Sequence, residues 1–448
     1  MSEESPIRVQ LDGKYNTIVM KTKYKPGQGA SQMTGLLIEE HTDQKQIIGM
    51  FLANKLCWMG AYLRGLGYDV TCPDGHEGCT ANVDIDLPFS EKELGSFLGK
   101  QASLNNLLIR YATTDGDGRA AEGLDEHFKS LNPLNEVLRL SDLTHLGTSQ
   151  IKAVGRASFS KVMFDDIPGY ENKKRAKQVL GNDIGYRCGL EFNGLYKSCN
   201  GNIEEISKKI NGVVNTILDC YAGNHKNCSR YSCCCKGGSK TNWFTQSYQL
   251  RSFGYHGFNM TKGDRQLMKE IMNMKLGVEA LNNVKFATTT QAAESYNRSL
   301  NANCPKNVKY SRSATHRMAS TVHKINNGPG LSTRQKLEHC GVKVVKGSAT
   351  DRYLNECDKR KKYQQNYVHR SSVKRRRHTA RCQRYGRYYK KMEKRKDKHC
   401  DEYRKGQLDP TVAKKSQNNI TQHNLRQQKT TEKQCDCYSR FCKKCFAA

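Results

Sequence analysis

The stretch RYATTDGDGRAAEGLDEHF, residues 110–128, passes from branched and aromatic residues into two aspartates, Asp115 and Asp117, set among glycines. Its first half has the composition of a strand, which puts the acidic turn at a strand end. An EF-hand calcium loop competes for the same residues, because Asp115, Asp117 and Glu126 occupy positions 1, 3 and 12 of that twelve-residue pattern. The competitor fails at two places: Ala120 stands where the loop needs glycine for its sharp turn, and Arg119 where it needs an oxygen ligand. A solvated Asp-Gly turn and a strand-end carboxylate site remain.

Outward from this turn, SPIRVQLDGKYNTIVM (residues 5–20) carries apolar residues on both sides of Asp-Gly and predicts a strand or hairpin from about residue 6, with Asp12 inside it. QIIGMFLANKLCWMGAYLRGLGY (46–68) has helix-like periodicity and ends in glycines. Beyond Asp115 the chain reads as mostly helical. GNIEEISKKINGVVNTILDC (201–220) puts Ile203, Ile206, Ile210, Val213, Val214, Ile217 and Leu218 on one face, the mark of a packed helix with no chemical role. A further helix is expected through GDRQLMKEIMNMKLGVEALNN (263–283). Another begins within TTTQAAESYNRSLNANCP (288–305), capped by a threonine and stopped near Pro305. Asp12, Asp115 and Glu294 thus form a set of two strand-borne aspartates and one helical glutamate. Such a set can supply the few hard oxygens that paired magnesium ions need for phosphoryl transfer.

A formal net charge of +31 points to a polyanionic partner, nucleic acid first. The excess is uneven: residues 351–448 hold 29 Lys/Arg against 10 Asp/Glu. Between Lys359 and Lys398 there are 18 Lys/Arg and two acids, interleaved with Tyr363, Tyr367, Tyr385, Tyr388 and Tyr389. Composition predicts that this run builds no core and serves as a nucleic-acid arm. KRRRH (374–378) has the pattern of a nuclear-import signal. No run of about eighteen apolar residues occurs, and the N-terminus lacks the layout of a signal peptide, so no membrane association is expected. In a reducing compartment the 19 cysteines are better read as zinc ligands than as disulfides. Three groups qualify: Cys72, His76 and Cys79 of CPDGHEGC, with Cys57 as a fourth; His225, Cys228 and Cys233, with Cys220 or Cys234 as a fourth; and Cys435, Cys437, Cys442 and Cys445 of CDCYSRFCKKC.

The chain resembles the Mutator-like transposases, cut-and-paste DNA transposases with a ribonuclease H-like catalytic domain. The resemblance runs through VQLDGKYNT, YKPGQGASQ, CPDGHEGCTAN, TTDGDG, SDLTHLG, TTQAAESYNRSLNANCPKN and HKINNGPG. It implies an α/β fold: a ribonuclease H-like mixed sheet in residues 1–345 with a mainly helical insertion at about 143–285. A basic, partly disordered arm (346–434) and a Cys-rich zinc-binding tail (435–448) would follow. It also implies that Asp12, Asp115 and Glu294 bind Mg2+ or Mn2+, with Asp117 as the alternative second ligand. His145 of the DLTH motif would be their active-site neighbour. The implied activity is DNA strand cleavage and strand transfer by a nuclear, homo-oligomeric enzyme. The alternative is an inactive, domesticated or truncated copy that only binds nucleic acid. Such transposases carry a DNA-binding domain before the first aspartate, and here eleven residues precede Asp12. End recognition is therefore expected in the basic tail, unless the copy is truncated.

Overall fold

The computed structural model describes residues 6–16, 30–116, 118–165, 167, 170–238, 241–247, 249–250 and 257–396. Asp117 and the tail cysteines Cys435, Cys437, Cys442 and Cys445 lie outside them. Five strands form one mixed sheet: β1 (Ile7–Tyr15), β2 (Gln32–Glu39), β3 (Ile47–Asn54), β4 (Ile109–Thr114) and β5 (Leu138–Ser141). The order is β3-β2-β1-β4-β5. β1 runs antiparallel to β2 and parallel to β4, β2 antiparallel to β3, and β4 parallel to β5. This is the mixed α/β architecture expected from the sequence.

The helices are, in chain order, α1 (Trp58–Gly65), α2 (Glu91–Leu104), α3 (Arg119–Leu131), α4 (Leu143–Arg156), α5 (Tyr170–Ser198), α6 (Ile203–Tyr221) and the single turns α7 (Cys228–Tyr231) and α8 (Trp243–Gln246). After them come α9 (Lys262–Leu276), α10 (Val278–Asn283), α11 (Gln291–Asn303), α12 (Ala314–Asn327), α13 (Pro329–His339), α14 (Ala349–His369) and α15 (Ser371–Lys396). Met1–Cys382 form one compact unit, and a second begins at Gln383.

The sheet is covered on both faces because its strands alternate. Val9 and Leu11 of β1, with Met33 and Leu37 of β2, pack against Leu94 and Leu98 of α2 and Leu124 and Phe128 of α3. The intervening residues Leu36 and Ile38 of β2 pack instead against Ala293 and Leu300 of α11 and Met318 of α12. α2 and α3 cross at backbone contact: a Cβ on Gly95 would lie 1.9 Å from the Ala120 carbonyl oxygen, and one on Gly123 1.7 Å from that of Lys92. This approach seats α3 directly after the Asp115 turn.

One sequence expectation is corrected and another refined. Residues 46–68 are not one helix: Ile47–Asn54 is strand β3, paired along β2, and only Trp58–Gly65 is helical. Short apolar runs carry no decisive period, and here partner strand β2 decides. The basic run, expected to build no core, is largely exposed but helical through Lys396, in α14 and α15, with Val373 buried. Arg, Lys and Gln are good helix formers. The start of α14 is pinned by the Arg334–Asp351 ion pair at 2.5 Å, and Asp358 accepts the backbone N–H groups of Gly330 (2.7 Å) and Leu331 (2.9 Å).

A candidate carboxylate site between the sheet and helix α11

One face of β1 is polar, and three of its side chains, Gln10, Asp12 and Lys14, reach α11. Gln10 accepts the backbone N–H of Ala293 (3.2 Å), in the first turn of the helix. Asp12, two residues on, accepts the Asn297 side-chain amide at 2.7 Å. Lys14, two further, donates to the carbonyl of Cys304 (3.3 Å) at the helix C-cap. The helix therefore lies along the strand in a fixed register, with Glu294 in its first turn. Burial, the largest cause, holds the Lys14 ammonium down to about 8.

Asp115 leaves the end of β4, and the neighbouring strand fixes its turn. Arg139 of β5 donates from Nε to Thr114 Oγ1 (3.2 Å) and from Nη2 to the carbonyls of Asp115 (3.5 Å) and Gly116 (3.2 Å). Gly118 makes room for this clasp, since a Cβ there would stand 2.3 Å from Arg139 Nη1.

Asp12 registers the charges around it. Burial above all raises its carboxyl to about 6; the Asn297 hydrogen bond opposes this, and the charges of Asp115, Glu294 and Glu91 add to it. His145, in the first turn of α4, places Nε2 3.6 Å from Glu294 Oε1, and Arg298 reaches Glu294 Oε2 at 3.4 Å. Carboxylate oxygens are hard donors of the kind that Mg2+ and Mn2+ take, though Asp12, Asp115 and Glu294 are not among the groups whose donor atoms all lie within 4.8 Å of one another.

Asp142 ties the helices of this site together. It caps α4 through the Thr144 N–H (2.5 Å), and its second oxygen accepts both the N–H (3.0 Å) and the hydroxyl of Thr290. Thr290 is the N-cap of α11, as expected, but its hydroxyl makes no cap bond to its own helix. Glu91, Gln10 and Arg139 also surround these acids, although nothing in the sequence alone gives them a role. Asn297, three residues after Glu294 on the same helix face and part of the TTQAAESYN motif, is the one partner of Asp12 that the sequence marks.

Two sulfur groups converge elsewhere. Cys57, Cys72, His76 and Cys79 place one donor atom each within 4.8 Å of one another. Both Cys57 Sγ and Cys72 Sγ lie 3.3 Å from His76 Nε2, while His76 Nδ1 contacts the Glu77 carbonyl at 2.9 Å. The second group is Cys220, His225, Cys228 and Cys235. Cys233, expected among these ligands, is exposed and lies outside the group, and neither does Cys234 belong to it. In the Cys-Cys-Cys run the Ser232 hydroxyl accepts the backbone N–H of Cys235 (2.9 Å), and the resulting turn buries Cys235. Among the described residues, no helix is long and apolar enough to cross a membrane.

The sheet and its helices define an α/β protein in which the polar face of central strand β1 meets the covering helix α11. A family model for Mutator-like transposases matches residues 1–235, just over half of the chain, and the chain belongs to that family. The match contains Asp12, Asp115 and His145; Glu294 lies beyond it. No curated protein and no solved structure matches the chain.

Proposed function

We propose that this transposase cleaves and joins DNA strands at a divalent-metal site held by Asp12, Asp115 and Glu294. What supports the reading is geometric: Asp12 on β1 is hydrogen-bonded to Asn297 of α11 at 2.7 Å, the same helix carries Glu294 3.6 Å from His145, and Asp115 ends the adjacent strand β4. When bound, Mg2+ or Mn2+ would supply Lewis-acid activation of the attacking oxygen and neutralise charge on the leaving oxygen. The chain's own groups do the positioning: Asn297 fixes the Asp12 carboxylate, Arg139 holds the Asp115 turn, and Asp142 with Gln10 anchors the start of the Glu294 helix. His145, 3.6 Å from Glu294, would contact the scissile phosphate.

DNA is the partner, and the exposed arginines of α15, Arg375, Arg376 and Arg377, neutralise its phosphates. Lys374–His378 directs the chain to the nucleus, where it acts as a homo-oligomer. Cys57, Cys72, His76 and Cys79 hold a structural zinc ion, with the Glu77 carbonyl fixing the tautomer that leaves His76 Nε2 free to bind. This pins the irregular segment 66–90 onto α1.

The test is strand cleavage by the purified full chain with Mn2+ on DNA bearing the element's ends. Asp12→Ala, Asp115→Ala and Glu294→Ala should each abolish cleavage while DNA binding persists. Cleavage that survives loss of all three carboxylates refutes the assignment, and a wild-type chain that binds DNA but never cuts it marks a binding protein.

A further inference from the structure

The helical insertion contains a second sulfur centre, and a buried cation faces it. Cys220 lies in the last turn of α6, His225 lies in the loop that follows, Cys228 opens α7, and Cys235 comes four residues after that turn. Cys220 Sγ and Cys235 Sγ are 3.9 Å apart; His225 Nδ1 is 3.7 Å from Cys228 Sγ and 3.9 Å from Cys235 Sγ. Two thiolates sharing one tetrahedral zinc, each about 2.3 Å from it, stand about 3.8 Å apart, and a thiolate and an imidazole nitrogen about 3.5 Å. A disulfide would bring the sulfurs to about 2.05 Å. The spacing is that of ligands around an ion.

Sulfur atoms also pack as plain hydrophobes, and Arg187 of α5 decides against that reading here. Its side chain is fully buried, with the guanidinium 4.8 Å from the Trp243 ring and 5.3 Å from the Tyr221 ring. Nη1 donates to Cys220 Sγ at 3.1 Å, whereas Nε and Nη2 find no hydrogen-bond partner among the described residues. The contacting carboxylate, Glu191, stands 3.6 Å from Nε and spends its oxygens on the Ser232 hydroxyl and the Cys233 N–H (2.7 Å). Nearby Asp183 is engaged by Tyr221 (2.5 Å), Trp243 (2.7 Å) and Ser247. A buried guanidinium aimed at a neutral thiol is poorly compensated. Aimed at a thiolate, it makes a charge-assisted bond.

We infer that Cys220, His225, Cys228 and Cys235 bind a structural Zn2+ as three thiolates and one neutral imidazole, and that Arg187 is the counter-charge of this anionic centre. Binding releases the three thiol protons to solvent, and four protein ligands leave no open position for catalysis. The ion fastens the segment after α6 to α5 and α6. Among its described residues, 222–258 has no regular structure beyond the single turns α7 and α8.

The inference is tested on the full chain by zinc-to-protein ratio, a readout independent of DNA cleavage. Cys235→Ser should carry one zinc fewer than wild type, and Cys233→Ser, altered at the exposed neighbour, the same number. Full zinc in Cys235→Ser, or a loss in Cys233→Ser, overturns the ligand set. Should Cys235→Ser fail to fold, wild-type protein answers by thiol alkylation read by mass spectrometry. Chelation should expose Cys220, Cys228 and Cys235 to reagent, and labelling unchanged by chelator overturns the site. Arg187→Gln should weaken zinc retention against a competing chelator about 10- to 100-fold. Unaltered retention removes Arg187 from the centre.

Discussion

Asp142 should be the most expensive polar residue to alter in the sheet domain, and its loss should disable the carboxylate site without touching a carboxylate of that site. Its side chain is buried, 1 % exposed, and satisfies three donors on two helices. Asp142→Ala removes an α4 cap, ~1 kcal/mol, and two bonds to a charged acceptor, ~1.5–3 kcal/mol each. The total, ~4–7 kcal/mol, approaches the whole stability of an ordinary domain. Asp142→Asn is the informative variant. Its amide keeps one acceptor but turns an NH2 toward either the Thr144 N–H or the Thr290 pair, which costs ~1–3 kcal/mol and leaves the protein folded. Slackening Thr290 frees the first turn of α11, and with it Glu294. A displacement near 1 Å at a reacting centre is worth up to ~100-fold in rate. Denaturant unfolding followed by circular dichroism gives the stability term, and strand cleavage beside DNA binding gives the functional one. Expected are a lowered unfolding midpoint, cleavage reduced ~10- to 100-fold and unchanged DNA affinity. An Asp142→Asn protein with wild-type stability and wild-type cleavage would refute the claim that Asp142 positions the helix.

Asp115→Ala should abolish cleavage while Asp117→Ala retains it, measured in the same Mn2+ assay; the reverse pattern moves the second ligand to Asp117. Replacing Arg375, Arg376 and Arg377 together by Gln should lower the slope of log affinity against log salt for duplex DNA by about 3, close to one unit for each phosphate no longer neutralised. An unchanged slope takes this part of α15 off the DNA. Asp264 closes a capping box on α9 and also accepts Ser160; burial raises its carboxyl, but the bonds from Ser160 and Thr261 outweigh it and hold the group below its usual range. A depressed folded-state value means stability that is complete above the unfolded value, about 3.9, and lost as pH falls through the folded one. The advantage of wild type over Asp264→Asn in thermal unfolding should therefore be constant from about pH 7 to 5 and shrink below about pH 4. An advantage independent of pH would show that the carboxylate charge is not what stabilises the cap.

The parts of the fold legible in the sequence are those whose signal is local. Strand β4 and its acidic turn, helix α6 with its apolar stripe and helix α11 ahead of Pro305 follow from residues that are neighbours in the chain. Strand β3 reads as helix in the sequence because its identity depends on pairing with β2. The helical state of the basic run in α14 is not legible in the sequence because its anchors, Arg334, Gly330 and Leu331, lie on another helix. At the site, the acids and His145 are visible as motif residues, whereas Arg139 and Gln10 act across 23 and 283 positions of sequence. Cys235 escapes sequence reasoning for a subtler reason. Three successive cysteines offer three equal spacings, and only the Ser232 turn selects the one that faces inward.

A chain of this length contains many Asp, Asp and Glu triples, so the force of the site lies in how it is held. β1 is a two-sided strand: Val9 and Leu11 look into the apolar layer of α2 and α3, which fixes the strand's rotation, and alternation then turns Gln10, Asp12 and Lys14 onto α11. Slipping α11 by one residue would rotate Ala293, Asn297 and Cys304 away from all three partners at once. The register of the helix is therefore set at its start, middle and end by the strand that carries the first carboxylate. Glu294 inherits that register, and Asp142 locks the same helix end to the helix that bears His145. Glu294 is thus positioned by constraints that it does not itself supply. Substitutions at Gln10 or Asn297 should accordingly reduce cleavage more than their small stability cost suggests, and a variant of either that cleaves normally would show that the site tolerates a loose helix.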